Sequence, residues 1–176
     1  MNDRRFLPFE GKYPRVHPTA FIAETAILIG DVEVGEGASI WYHCVLRGDT
    51  NYIRVGARAN VQDGTIVHVN RRTFPAIIGA DVTIGHAAIV HACTLEDRAF
   101  VGMGATVLDG AVIEEGGVIG ANGLLTPGKR IGRNELWTGA PAKFSRVLSD
   151  ADRQNFDANA IHYAELAQRH KASGGV

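Results

Sequence analysis

Three of the seven histidines in this 176-residue chain fall within a short stretch: His68, His86 and His91. Neutral imidazole is the commonest protein ligand for zinc-like ions. Three imidazoles around one ion leave a fourth position open, which is the ligand set of a hydrolytic or hydrating zinc site. The competing reading is three polar side chains buried at an interface, with no metal between them. His17, His43, His162 and His170 are scattered through the sequence and are read as solvated or packing residues. Which description fits the three depends on where the backbone puts them.

The backbone is governed by a six-residue repeat. From Leu95 a large apolar residue recurs at Val101, Val107, Ile113, Ile119, Leu125, Ile131 and Trp137. Upstream the ladder runs Ile22, Leu28, Val34, Ile40, Leu46, and in the middle Val55, Val61, Val67, then Ile78, Ile84, Val90. A second ladder follows four residues behind, built almost wholly from small residues such as Ala26, Ala38, Cys44, Ala88, Ala105 and Ala111. A helical period of 3.6 cannot keep a six-residue ladder on one face, and plain strand alternation would not be punctuated by glycine. Short strands wound into a parallel β-helix account for both ladders. Three hexads make one triangular coil, and stacked coils lie about 4.8 Å apart. The domain is expected over residues 18–142, as about six to seven coils, after an N-terminal extension at 1–17. Ser149 opens a capping-box-like S-D-A-D, and Phe156, Ala160, Tyr163 and Ala167 follow at helical spacing. A C-terminal helix is therefore expected over 149–170, lying on the outside of the prism, with a loose tail at 171–176.

The ladder is interrupted three times, between Leu46 and Val55, Val67 and Ile78, and Val90 and Leu95. Insertions in a solenoid are expected as loops on one face, often the binding face. Counting faces through these breaks places Val67 and Val90 one full turn apart. His68 and His91 each follow one of them, so both point outward and stack, with Arg47 one coil earlier in the same column. His86 follows Ile84 by two residues and belongs to the neighbouring face. One prism thus presents two of the imidazoles together and the third elsewhere. A threefold trimer closes the set, with His68 and His91 of one chain meeting His86 of the next.

Composition narrows the partners. A formal net charge of −1 gives no electrostatic reason to expect nucleic acid or an acidic membrane. No apolar run approaches the roughly 20 residues of a membrane span, and MNDRRFLPFEGK lacks the apolar core of a secretory signal. Cys44 and Cys93 make neither a disulfide framework nor a zinc motif, so packed thiols and a cytoplasmic home are expected. The glycine-rich stretches follow the hexad rhythm and match no phosphate loop.

The stretches VLRGD at 45–49, NVQDGTIVH at 60–68, TIGHAAIVHACTL at 83–95 and the later GAPAK resemble the γ-class carbonic anhydrase family, over nearly the whole chain. The resemblance implies the left-handed form of the β-helix, whereas the general rule for parallel crossovers favours a right-handed turn. It implies zinc, or alternatively ferrous iron, held by His68 and His91 of one subunit and His86 of its neighbour. It implies that Gln62 sits beside the metal-bound water, that Asn60 and Tyr163 contribute to the site, and that Arg47, Asp49 and Asp63 form an ion-pair network across the subunit interface. Face counting agrees in part, because Gln62 follows Val61 on the face of His86. Packing is an equal alternative for Tyr163, and plain interface stabilisation is the larger role expected of the three charged residues. The implied activity is that of a carbonate dehydratase: zinc lowers the pKa of bound water from about 15.7 to about 7, and the hydroxide attacks CO2 to give bicarbonate. Gln62 would hold the hydroxide or the nascent oxyanion.

This chain departs from the most active branch of that family. Thr50-Asn51 and Val69-Asn70-Arg71-Arg72 stand where that branch carries shuttle glutamates. Three other functions stay open: an acyltransferase of the same superfamily using a histidine base, a hydrolase such as a thioesterase acting with the same ion, and a catalytically weak metal-binding or assembly homologue.

Overall fold

The computed structural model describes residues 3–174. The chain winds into a left-handed parallel β-solenoid of about seven turns with one C-terminal helix. One face stacks Phe21–Ile22, Ser39–Ile40, Asn60–Val61, Thr83–Ile84, Phe100–Val101, Val118–Ile119 and Glu135–Thr138 in parallel register, and antiparallel Lys143–Val147 closes its end. A second face stacks Val45–Arg47, Ile66–His68, Ile89–His91, Thr106–Val107 and Leu124–Leu125. The third carries Ile53–Val55, Ala76–Ile78, Thr94–Leu95, Val112–Ile113 and Arg130–Ile131.

Both ladders point inward. Ala26, Val32, Ala38, Cys44, Ala59, Val82, Ala88, Ala99, Ala105 and Ala111 are fully buried opposite the equally buried Leu28, Ile40, Leu46, Val61, Ile84, Val90 and Ile113. One large and one small residue per hexad fill a prism too narrow for two large ones. Thr65 stands on the small ladder, and its hydroxyl donates to Gly85 O at 3.1 Å, so no buried group is stranded there.

Two expectations need correction. The lengthening after Leu46 is not a loop. Residues 45–55 form one continuous strand that turns the corner of the prism while paired with Ile27–Val34 on one side and with Ile66–His68 and Ala76–Ile78 on the other. The extra residues, 49–52, have no ladder partner in Ile27–Val34 and stand opposite Asp31 alone, at the register shift between Gly30 and Val32. Nor is the described part of the N-terminal extension separate from the domain. Phe6–Leu7 and Arg15–Val16 both add to Ile27–Val34 in parallel, covering an edge that would otherwise expose its donors and acceptors.

The helix runs Asp150–Ala172, two residues beyond the expected His170, and residues 175–176 of the expected tail lie outside the described residues. Ser149 is its N-cap: Asp152 N donates to Ser149 Oγ at 3.2 Å, and Ser149 N donates back to Asp152 Oδ2 at 2.8 Å. Asp150 and Asp152 in the first turn and Arg169, His170 and Lys171 in the last complement the helix dipole. Only Ala160 and Ala167 of the helix are buried, so aromatic contacts do much of the holding. Phe156 meets Phe100 with ring centroids 4.6 Å apart, Tyr163 meets Trp41 at 5.4 Å, and His170 meets Trp41 at 5.1 Å. These partners all lie on the face that carries Gln62 and His86. Ser149→Ala is expected to cost about 1 kcal/mol, read from the denaturant midpoint. A loss below about 0.3 kcal/mol would show that the ion pairs of Arg146 with Asp152 and of Arg153 with Asp150 hold the helix start without the cap.

Candidate metal centre

His68 and His91 are direct partners in the ladder, and Arg47 is the partner of His68 one coil earlier. Their side chains leave the prism in one column. His68 Nδ1 faces His91 Nε2 at 3.1 Å. Behind each ring stands a carboxylate. His68 Nε2 lies 3.1 Å from Asp49 Oδ1, and His91 Nδ1 lies 2.5 Å from Asp109 Oδ1. An ionised carboxylate can only accept, so the imidazole proton must be on His68 Nε2 and on His91 Nδ1. The two nitrogens that face one another are then both lone pairs. At 3.1 Å they repel unless a metal ion, or a proton on one of the rings, lies between them.

The distance suits a shared ion. Two nitrogens each about 2.0–2.1 Å from a tetrahedral zinc are about 3.3 Å apart. Burial is the largest influence on His68 and holds its pKa below the ordinary histidine value despite the hydrogen bond it donates to Asp49, and this keeps the ring in its ligand form. For Asp49, burial alone would raise the pKa. Hydrogen bonds from Arg47, His68 and the Thr50 backbone outweigh it and bring the value down to about 2. Asp109 follows the same pattern, with burial opposed and exceeded by hydrogen bonds from His91 and Asn70.

His86 lies in the turn after Thr83–Ile84, on the face covered by the helix. Its Nδ1 is 2.9 Å from Asp63 Oδ2. Each of the three histidines thus has its own aspartate; for His68 and His91 the contact is a hydrogen bond, the usual way a protein fixes the tautomer and direction of a ligand ring. Among the described residues of one chain, no group of three histidine, cysteine or acidic side chains converges on a point. The expected ion-pair network is divided likewise: Arg47 pairs with Asp49, while Asp63 stands with His86.

Gln62 is only 4% exposed. Its Nε2 donates to Asn60 Oδ1 at 3.0 Å, and Asn60 Nδ2 in turn lies 2.8 Å from Thr83 Oγ1. That chain orients the Gln62 amide, with Asn60 serving Gln62 rather than facing the site. Gln62, His86 and Tyr163 line one cavity of about 330 Å³, whose other walls include Phe100, Met103, Val118 and Phe156. Tyr163 both packs on Trp41 and reaches this cavity; burial, then the charge of Asp63, raises its pKa. Sequence reasoning missed Asp109 and Asn70. Val107 pairs with Val90, so extending the column of His91 by one coil leads to Leu108 and, one residue on, to Asp109. Cys44 and Cys93 are buried, and burial pushes both thiols up to about 12, which excludes them as nucleophiles.

Among known proteins, the chain is 48% identical over 166 residues to γ carbonic anhydrase 1, mitochondrial, of Arabidopsis thaliana, which is 92% of this chain and 60% of the relative. A hexapeptide transferase family protein from Anaplasma phagocytophilum superposes with a TM-score of 0.91 at 47% identity, covering 95% of this chain and 98% of that one. The chain belongs to the γ carbonic anhydrase family of hexapeptide-repeat proteins. It spans less than two thirds of the length of that plant family member. Family members also carry transferase names: a Bacillus cereus protein provisionally named an acetyltransferase has a TM-score of 0.93 at 41% identity, covering 95% and 96% of the two chains. No family model matches the chain. No helix of the described residues is long and apolar enough to cross a membrane.

Proposed function

We propose that this protein is a γ carbonic anhydrase-type metalloenzyme that hydrates CO2 to bicarbonate, at sites shared between the subunits of a homotrimer. The observation that carries the proposal is the pair of facing ring nitrogens, His68 Nδ1 and His91 Nε2, 3.1 Å apart with a carboxylate behind each ring. His86 of the adjacent subunit supplies the third nitrogen, held in direction by Asp63. The trimer is supported by the surface around the stacked rings. Ile66 and Ile89, 45% and 44% exposed, are ladder partners on the same face and form an apolar strip that a second chain would cover.

Zinc, or ferrous iron in its place, supplies Lewis acidity and activates a water near neutral pH when bound. The protein's own groups do the rest. Gln62 presents its amide to the cavity beside His86; one of its N–H groups is taken by Asn60, so the remaining N–H and the carbonyl are left to orient water and the developing oxyanion. The apolar walls from Phe100, Val118 and Phe156 suit an uncharged substrate. Thr50, Asn51 and Asn70 offer no carboxylate to carry the proton outward, so proton return rests on water or buffer.

The experiment is metal analysis of anaerobically purified protein followed by a CO2 hydration assay at varied buffer concentration. About one metal per subunit is expected, with turnover that rises with buffer. Metal-free protein with full activity would overturn the assignment.

A second reading is favoured by one contact and two names. His86 with Asp63 at 2.9 Å is also the dyad of a general base, and the two solved relatives carry transferase names. Acetyl transfer that survives complete metal removal would establish it.

A further inference from the structure

The insertion between Val67 and Ile78 leaves the solenoid at Asn70 and returns at Pro75, and its middle is exposed. It is nevertheless tied down at both ends of its turn. Asn70 N donates to Phe74 O at 3.0 Å, closing the loop on itself. Asn51 Nδ2 donates to Asn70 O at 3.3 Å, from the preceding coil. The Asn70 side chain reaches forward to the coil beyond His91, where Nδ2 donates to Asp109 Oδ2 at 2.5 Å. The Phe74 ring lies on the residue after Asp109: a Cβ on Gly110 would be 3.0 Å from Phe74 Cζ. Gly110 has φ +66°, so it supplies both the turn and the space for the ring.

We propose that this loop is a clamp, in which Asn70 and Phe74 hold Asp109 as the positioning residue that sets the tautomer and direction of His91. The proposal rests on the metal-site reading given above, and it assigns a task to a segment that carries no shuttle carboxylate. The physical reasoning is direct. With Oδ2 held by Asn70, the Asp109 carboxylate cannot swing, and Oδ1 stays on His91 Nδ1 at 2.5 Å. The proton is thereby kept on Nδ1, and the Nε2 lone pair is kept toward His68. A neutral imidazole without such a partner populates both tautomers, and the molecules with Nε2–H cannot bind an ion in this column. Asp109 acts through His91 and touches no reacting atom. The loop thus converts an insertion in the repeat into preorganisation of one ligand.

The test uses metal-free, histidine-labelled protein at about pH 8, where imidazoles are neutral. Long-range proton–nitrogen correlation spectra report the tautomer of His91 directly. The wild type is expected to show Nδ1–H alone. Asp109→Ala and Asn70→Ala are expected to show Nε2–H as well, the second to a smaller extent. Titration with Zn²⁺ against a chromophoric chelator should give affinity about 10–100-fold weaker for Asp109→Ala, and several-fold weaker for Asn70→Ala. Asn70 lies on a surface loop, so that variant keeps the test valid should Asp109→Ala fold poorly. Wild-type tautomer and Zn²⁺ affinity in both variants, with only a lower Tm, would reduce the loop to a structural brace and overturn the proposal. A mixed tautomer in the wild type would also overturn it. A single Nδ1–H tautomer in a wild type that binds no Zn²⁺ would instead sink the metal-site reading and leave the clamp standing.

Discussion

His86→Ala is expected to abolish metal binding while His68 and His91 remain untouched. The reason lies in the division of the ligands. His68 and His91 share one column, but His86 projects from the neighbouring face, and among the described residues of one chain no three donor groups converge. If the third nitrogen comes from another subunit, its removal leaves a two-nitrogen site. Loss of a supporting hydrogen bond alone costs about 10–100-fold in affinity, so loss of a ligand should exceed about 100-fold. The same logic predicts complementation. On the proposed trimer, His86→Ala and His91→Ala chains are each expected to be empty as homotrimers. Unfolded together in equal amounts and refolded, they form mixed trimers in which about one interface in four pairs an intact His68–His91 column with an intact His86. Metal analysis should therefore recover about a quarter of the wild-type content, with CO2 hydration in proportion. No recovery in trimers shown to be mixed would mean that the site is not shared. Full metal in His86→Ala alone would mean that the two stacked histidines suffice.

The second large effect is on stability. Gly102→Ala is expected to cost at least about 2–3 kcal/mol, although it adds one methyl group. A Cβ on Gly102 would lie 2.4 Å from Ala121 N, 2.6 Å from Gly120 C and 2.8 Å from Ala121 Cα. All three are backbone atoms of the next coil, which its own ladder hydrogen bonds hold in place, so nothing near the methyl can yield without parting two coils. Because each coil touches only its neighbours, the strain falls on one interface of the stack and weakens everything held through it. Met103→Ala next door is the control. Met103 is 58% exposed, and the change should stay within about 0.5 kcal/mol. Equilibrium unfolding of the two variants under the same conditions measures the difference. A loss below about 1 kcal/mol at Gly102 would mean that the coils separate more easily than their register suggests.

Much of this architecture could be read from residue spacing. Two ladders of large and small residues led to a narrow prism, and their buried order in the fold is the order in which they were counted. The stacking of His68 on His91, with Arg47 one coil before, followed from the same count. So did the placement of Gln62 and His86 on one face, and the capping box at Ser149. The corner-turning strand at 45–55 did not follow, because a three-residue excess reads equally as a loop or as a longer strand. Only the pairing partners distinguish them, and the extra residues fall at a register shift opposite Ile27–Val34, a strand of regular length.

Asp109 marks the limit most clearly. It stands 18 residues beyond His91, outside every stretch in which the ladder is irregular. Asn70, which holds it, is 39 residues earlier. Nothing local in either position calls for the other. A six-residue period is a property of the chain itself, since each coil must repeat the same inward pattern to close, and so the fold and the histidine column were determined by sequence alone. Which carboxylate backs which ring depends on side-chain directions across stacked coils and on the path of a loop with no period. Those were decided only by the tertiary structure, where residues one coil apart come within hydrogen-bonding distance.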